Sequence, residues 1–98
     1  MSVEVQVPTI LRGFTGGSRA VESDGATLAA LLDNLDREHP GIKERIVDTA
    51  ELRRFINVYV NDEDVRFTGG LQTPLSDGDV VVVLPAVAGG QDGAPRRG

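Results

Sequence analysis

A chain of 98 residues, 40% hydrophobic and 26% charged, has room for one domain with a modest core and not for two. With no cysteine and a single histidine, it can form no disulfide, thiolate metal site or thiol nucleophile, and a transition-metal site would need a carboxylate cluster that the sequence does not show. The formal net charge is −5, of which Asp92, Arg96 and Arg97 give the last eight residues +1 and leave −6 on residues 1–90; this balance repels phosphate backbones, argues against nucleic-acid binding and suits docking onto a basic groove of a protein partner.

At the start of the chain the basic, apolar and small-residue order of a signal peptide is missing, and no later apolar run is long enough for a bilayer. A cytoplasmic protein without membrane association is therefore expected. Val3-Glu4-Val5-Gln6-Val7 alternates apolar and polar residues, the period of a half-buried strand, and Pro8 ends it. Gly13 to Ser18, with Gly16-Gly17, reads as a turn into a second strand, Arg19 to Glu22, giving an N-terminal hairpin. Thr27 can cap a helix running to about Glu38, in which Leu28, Leu31, Leu32 and Leu35 fall at i, i+3, i+4 and i+7 on one face. His39-Pro40-Gly41 stops that helix, and His39 is read as a helix-end residue meeting the dipole rather than as a catalytic base. A short helical turn from Ile42 to Val47 and a surface connection from Asp48 to Arg54 follow.

Phe55 to Val60 is rich in aromatic and β-branched residues and reads as a strand, Asn61 to Asp64 as a turn, and Val65-Arg66-Phe67 as a short return strand. Asp62-Glu63-Asp64 and Asp77-Gly78-Asp79 lack the longer ligand array of a calcium loop, so both read as turn chemistry. Ser76 to Asp79 leads into Val80-Val81-Val82-Val83-Leu84, a continuous apolar run that belongs in the middle of a sheet and not at an exposed edge. The order β-β-α-β-β-β predicts an α+β layer pair, one sheet with one main helix across it. Residues 1–85 form the predicted domain, and residues 86–98, where no apolar period survives, a mobile tail.

That tail carries the informative chemistry. Leu84-Pro85-Ala86-Val87-Ala88-Gly89-Gly90 leaves the last strand and narrows to two residues without side chains, a strip that a partner could thread down a narrow channel. This run, with Leu75-Ser76-Asp77-Gly78-Asp79 before it, resembles the C-terminal signature of the MoaD/ThiS ubiquitin-like sulfur carriers. Pro8 to Arg12 and Val58 to Phe67 are similar to the branch of that family that serves actinobacterial cysteine biosynthesis.

The resemblance implies a ubiquitin-like β-grasp with a mixed sheet of four to five strands, and a protein that works as a co-substrate rather than as an enzyme. Gly90 would carry the sulfur as a C-terminal thiocarboxylate, with Val87, Ala88 and Gly89 as the inserted strip. An activating adenylyltransferase would use ATP to adenylate the glycine, a sulfur donor would displace AMP, and a synthase containing pyridoxal phosphate would take the sulfur for cysteine. A zinc metallopeptidase of the JAMM type would release the carrier, which itself binds no cofactor or metal. Alternative acceptors are the molybdopterin dithiolene, the thiamin thiazole or a sulfur-containing secondary metabolite.

One departure matters: Gln91 to Gly98 follow Gly90, so its carbonyl is an amide and not a carboxylate. Trimming after Gly90, by a peptidase of the same JAMM type, would expose the working group; the alternative is an extension, natural or cloning-derived, that blocks it. Arg12 is a candidate to meet an acidic patch on a partner. Phe67 either anchors a partner or packs in the core. A ubiquitin-like protein modifier would share fold and tail. An acyl carrier would need a phosphopantetheine serine on a helical bundle, which the predicted strands exclude.

Overall fold

The computed structural model describes residues 2–49 and 51–85. In chain order these form β1 (Val3–Gln6), β2 (Ala20–Ser23), α1 (Leu28–Glu38), α2 (Ile42–Ile46), β3 (Val47–Asp48), β4 (Glu51–Leu52), β5 (Ile56–Val60), β6 (Glu63–Asp64) and β7 (Val80–Pro85). Short 3₁₀ turns occupy Thr9–Thr15, Val65–Phe67 and Gly70–Gln72.

Alternation builds the main sheet. Val3 and Val5 of β1 point into the core while Glu4 and Gln6 face solvent, and Ile56, Val58 and Val60 do the same for β5. The five strands lie in the order β2-β1-β7-β5-β6. β7 is central, parallel to β1 through Glu4↔Val80 to Gln6↔Val82 and antiparallel to β5 through Ile56↔Pro85 to Val60↔Val81. Its outer-facing Val80 and Val82 are half-buried and Leu84 is exposed. Its apolar run thus reflects its central place in the sheet more than cover on both faces.

Across the inner face lies α1. The Thr27 hydroxyl accepts from the Ala30 amide at 3.3 Å and caps it. Leu28, Leu31, Leu32 and Leu35 are fully buried, each contributing roughly 1.5–3 kcal/mol of apolar burial. At the far end the Asp36 carboxylate accepts from the Gly41 and Lys43 amides, both at 3.1 Å, and ties α1 to α2. Gly41, at φ 97°, makes the corner between them. A mixed five-stranded sheet with a helix laid across it and its first and last strands paired in parallel is the ubiquitin-like β-grasp.

Three local expectations are revised. The β1–β2 connection is not a bare turn: Thr9–Thr15 coils into a 3₁₀ segment after Pro8, with Gly16 at φ 65° closing it. Asp48 to Arg54 is not wholly connection, because Val47↔Leu52 and Asp48↔Glu51 pair as a small separate ribbon. The return strand after β5 begins earlier than expected. Asn61 and Asp62 sit at φ 50° and 71°, the left-handed pair of a two-residue hairpin turn, so pairing resumes at Glu63–Asp64. Val65–Phe67 then turns as 3₁₀, with the Asp64 carboxylate accepting from the Arg66 amide at 2.9 Å.

Candidate functional site

β1 and β7 run towards the same end of the sheet, and β7 delivers the chain there at Pro85. Proline has no N–H to donate to a ladder. On the β1 side pairing stops at Gln6↔Val82, because Pro8 diverts β1 into the 3₁₀ segment. Leu84, 44% exposed, therefore has β5 on one side and an open cleft on the other. This exit end is where residues 86–98 join the fold; Val87, Ala88, Gly89 and Gly90 lie outside the described residues.

Two clefts flank the exit. The smaller, about 350 Å³, is lined by Gln6, Pro8, Arg12, Arg19, Val82 and Leu84. Arg12 is thus placed beside the last strand, with its Nε donating to the Val7 carbonyl at 3.1 Å. The larger, about 920 Å³, lies on the helix side between the 3₁₀ segment, α2 and the approach to β5; Ile10, Phe14, Arg45, Arg53, Arg54 and Phe55 line it. Ile56, which also lines it, is the β5 residue paired with Pro85. The larger cleft therefore opens directly beside the exit.

Phe67 is 85% exposed, which rules out the core alternative. It follows Arg66, whose Nη1 donates to Asn57 Oδ1 at 2.6 Å and Nη2 to the Ile56 carbonyl at 2.7 Å. Asn57 pairs with Leu84. Arg12 and Phe67 therefore stand on opposite sides of the exit strand, although they are 55 positions apart in sequence. His39 is the residue after α1; its Nδ1 lies 3.1 Å from the Phe14 carbonyl.

Ile10, Arg54 and Phe55 belong to this surface and were not singled out from the sequence. Ile10 and Phe55 are 66% and 61% exposed. The pattern Arg53-Arg54-Phe55, paired cations ahead of an aromatic at a strand start, was the available signal. At the opposite end Asp79 accepts from Asn61 Nδ2 at 2.9 Å and from the Ser76 amide at 2.8 Å. The Asn61 bond first, and the Ser76 bond second, hold its carboxyl below its ordinary value. Among the described residues no group of three or more histidine and carboxylate side chains could hold a metal ion, and no helix is long and apolar enough to cross a membrane.

The comparisons with known proteins agree with this geometry. The ThiS family matches residues 5–90. The sulfur carrier protein CysO of Mycobacterium tuberculosis is 54% identical over 93 residues, spanning 92% of this chain and 100% of the relative. A chain in the crystal structure of the Amycolatopsis orientalis BexX/CysO complex superposes with a TM-score of 0.86 at 56% identity, over 89% of this chain and 98% of that one. Small archaeal modifier protein 3 of Haloferax volcanii is 39% identical over 67 residues, 68% of this chain and 73% of the relative. With the family match reaching from the first strand to the glycine pair, and the fold that of a solved relative, the chain belongs to the ThiS family of ubiquitin-like sulfur carriers.

Proposed function

We propose that the chain is a protein co-substrate that carries sulfur as a thiocarboxylate on Gly90 for cysteine biosynthesis, in the cytoplasm. The observation that carries this reading is that the family match ends on Gly90, five residues beyond the end of the central strand. Gln91 follows, so hydrolysis after Gly90, by a JAMM-type zinc metallopeptidase, comes first and frees the carboxylate. That carboxylate attacks the α-phosphorus of ATP on an activating adenylyltransferase, and pyrophosphate leaves. Hydrosulfide from a sulfur donor then attacks the acyl carbon, and AMP departs with the bonding electrons. The product is a thiocarboxylate, ionised at neutral pH and nucleophilic at sulfur.

Val87, Ala88 and Gly89 lead Gly90 into each partner, and the absence of side chains on the last two suits a narrow channel. The proposed acceptor is a cysteine synthase containing pyridoxal phosphate. Its support is the likeness to the mycobacterial CysO. A relative that forms a complex with a protein named BexX supports a carrier that docks on a partner protein.

The test supplies ATP, an activating enzyme and sulfide to the chain ending at Gly90 and to the full chain, then measures intact mass. The trimmed chain is expected to exchange one oxygen for sulfur and the full chain to stay unchanged. No exchange in the trimmed chain, or equal exchange after deletion of Gly89 and Gly90, would refute the proposal. The likeness to an archaeal modifier favours one further reading, attachment to lysines of other proteins. Lys43 is the sole lysine, which disfavours extended self-linked chains. Isopeptides between Gly90 and foreign lysines, sought by mass spectrometry of digests, would establish it.

A further inference from the structure

Charge is segregated along the strand direction. Where β7 begins, Glu4, Glu22, Asp62, Glu63, Asp77 and Asp79 gather. Residues 2–11, 20–36, 55–65 and 67–85, the segments that supply these six carboxylates, contain no lysine or arginine. At the exit end stand Arg12, Arg19, Arg45, Arg53, Arg54 and Arg66; Glu44 and Asp48 are the carboxylates lining the larger cleft. Among the described residues only Arg66 of these six has a carboxylate partner, Asp64 at 4.0 Å. Arg53 donates to the Glu44 carbonyl at 2.6 Å, and Arg45 lies over the Phe14 ring at 5.6 Å. These contacts hold the stems and leave guanidinium N–H groups for other acceptors.

The net charge therefore misdescribes the face that a partner meets when it takes the tail. We infer that such a partner docks on the exit end with an acidic segment, its carboxylates facing Arg45, Arg53 and Arg54 and one apolar side chain seated between Ile10 and Phe55. This is the reverse of the basic groove that the overall charge suggests. The occupant follows from complementarity and from position: the cleft pairs exposed apolar groups with unneutralised arginines, and its Ile56 wall is the strand residue beside Pro85. The acidic far end is repelled by the same segment, so approach with the tail foremost is favoured before contact. The inference rests on the carrier reading, since insertion of the tail is what brings a partner to this end.

The experiment measures association of the chain ending at Gly90 with the cognate activating adenylyltransferase, at several salt concentrations. Arg54→Glu and Arg53→Glu are compared with Glu63→Arg at the far end, and thermal unfolding of each variant confirms the fold. The arginine reversals are expected to weaken binding about tenfold, mainly through slower association, and to flatten its decline with salt. Glu63→Arg, which makes no contact with the cleft, is expected to leave the dissociation rate unchanged and to act on association alone. Binding indifferent to both arginine reversals overturns the docking surface alone. A trimmed wild-type chain that does not bind at all overturns the carrier reading and the surface with it.

Discussion

A methyl group built on Gly25 would lie 2.3 Å from the amide nitrogen of Leu31 and 2.7 Å from its Cα, inside the backbone of the helix that the segment crosses. Helix backbone cannot yield as a flexible side chain can, so Gly25→Ala is expected to cost about 3 kcal/mol, read from the denaturation midpoint. Gly13→Ala, whose methyl meets nothing within 4 Å, should stay within about 0.5 kcal/mol. Asp79 makes a prediction in pH. Its folded-state pKa lies below the ordinary 3.8 because Asn61 and Ser76 donate to the carboxylate. Its contribution is therefore present above the unfolded-state value and is lost as pH falls through the folded one. Asp79→Asn should make the acid limb of unfolding free energy against pH shallower below about pH 4; superimposable limbs would contradict the assignment. The Thr27 cap was legible in the sequence, since a hydroxyl before an apolar period is a local signal. The role of Gly25 was not, because its clash exists only once the chain has folded over α1.

Among the elements, the leucine stripe of α1 and the alternation of β1 and β5 were readable because burial on one face writes a period into the chain. The short β6 was misplaced by two residues, since the turn consumes only Asn61 and Asp62 and the spacing cannot reveal that. The consequence is an incomplete edge: β6 pairs only with Tyr59 and Val60, leaving the other end of β5 without a strand neighbour on that side. Arg66 fills the gap by donating to the Ile56 carbonyl and the Asn57 side chain. Arg66→Ala is expected to cost about 1 kcal/mol and to speed hydrogen exchange in the first half of β5. Arg66→Lys should not restore either, because a single ammonium lacks the fork that reaches both acceptors. Full rescue by lysine would show that the charge, and not the bridge, is what matters.

For the whole molecule, carboxylates crowded at one end without intervening cations should repel one another in the folded state. Raising salt from about 0.01 M to 1 M shortens the screening length from about 30 Å to 3 Å, and should raise the melting temperature by roughly 4–8 °C if about 1 kcal/mol is recovered. A falling melting temperature would mean that attraction between the oppositely charged ends outweighs the repulsion within each. The Gly89-Gly90 pair is contiguous in the sequence and falls where the family match ends. The surface at the exit end was not legible in the sequence, because Ile10, Arg45, Arg54 and Leu84 come from four separate segments that only the topology assembles. β7 has a further mechanical meaning. The tail is spliced to a strand hydrogen-bonded on both sides, so tension on it loads the β1 and β5 ladders together in shear instead of peeling bonds one after another. In the proposed carrier role, an enzyme that grips the tail would pull against a body that resists unravelling, and the folded body would serve as a stop that fixes how far the chain can be drawn in.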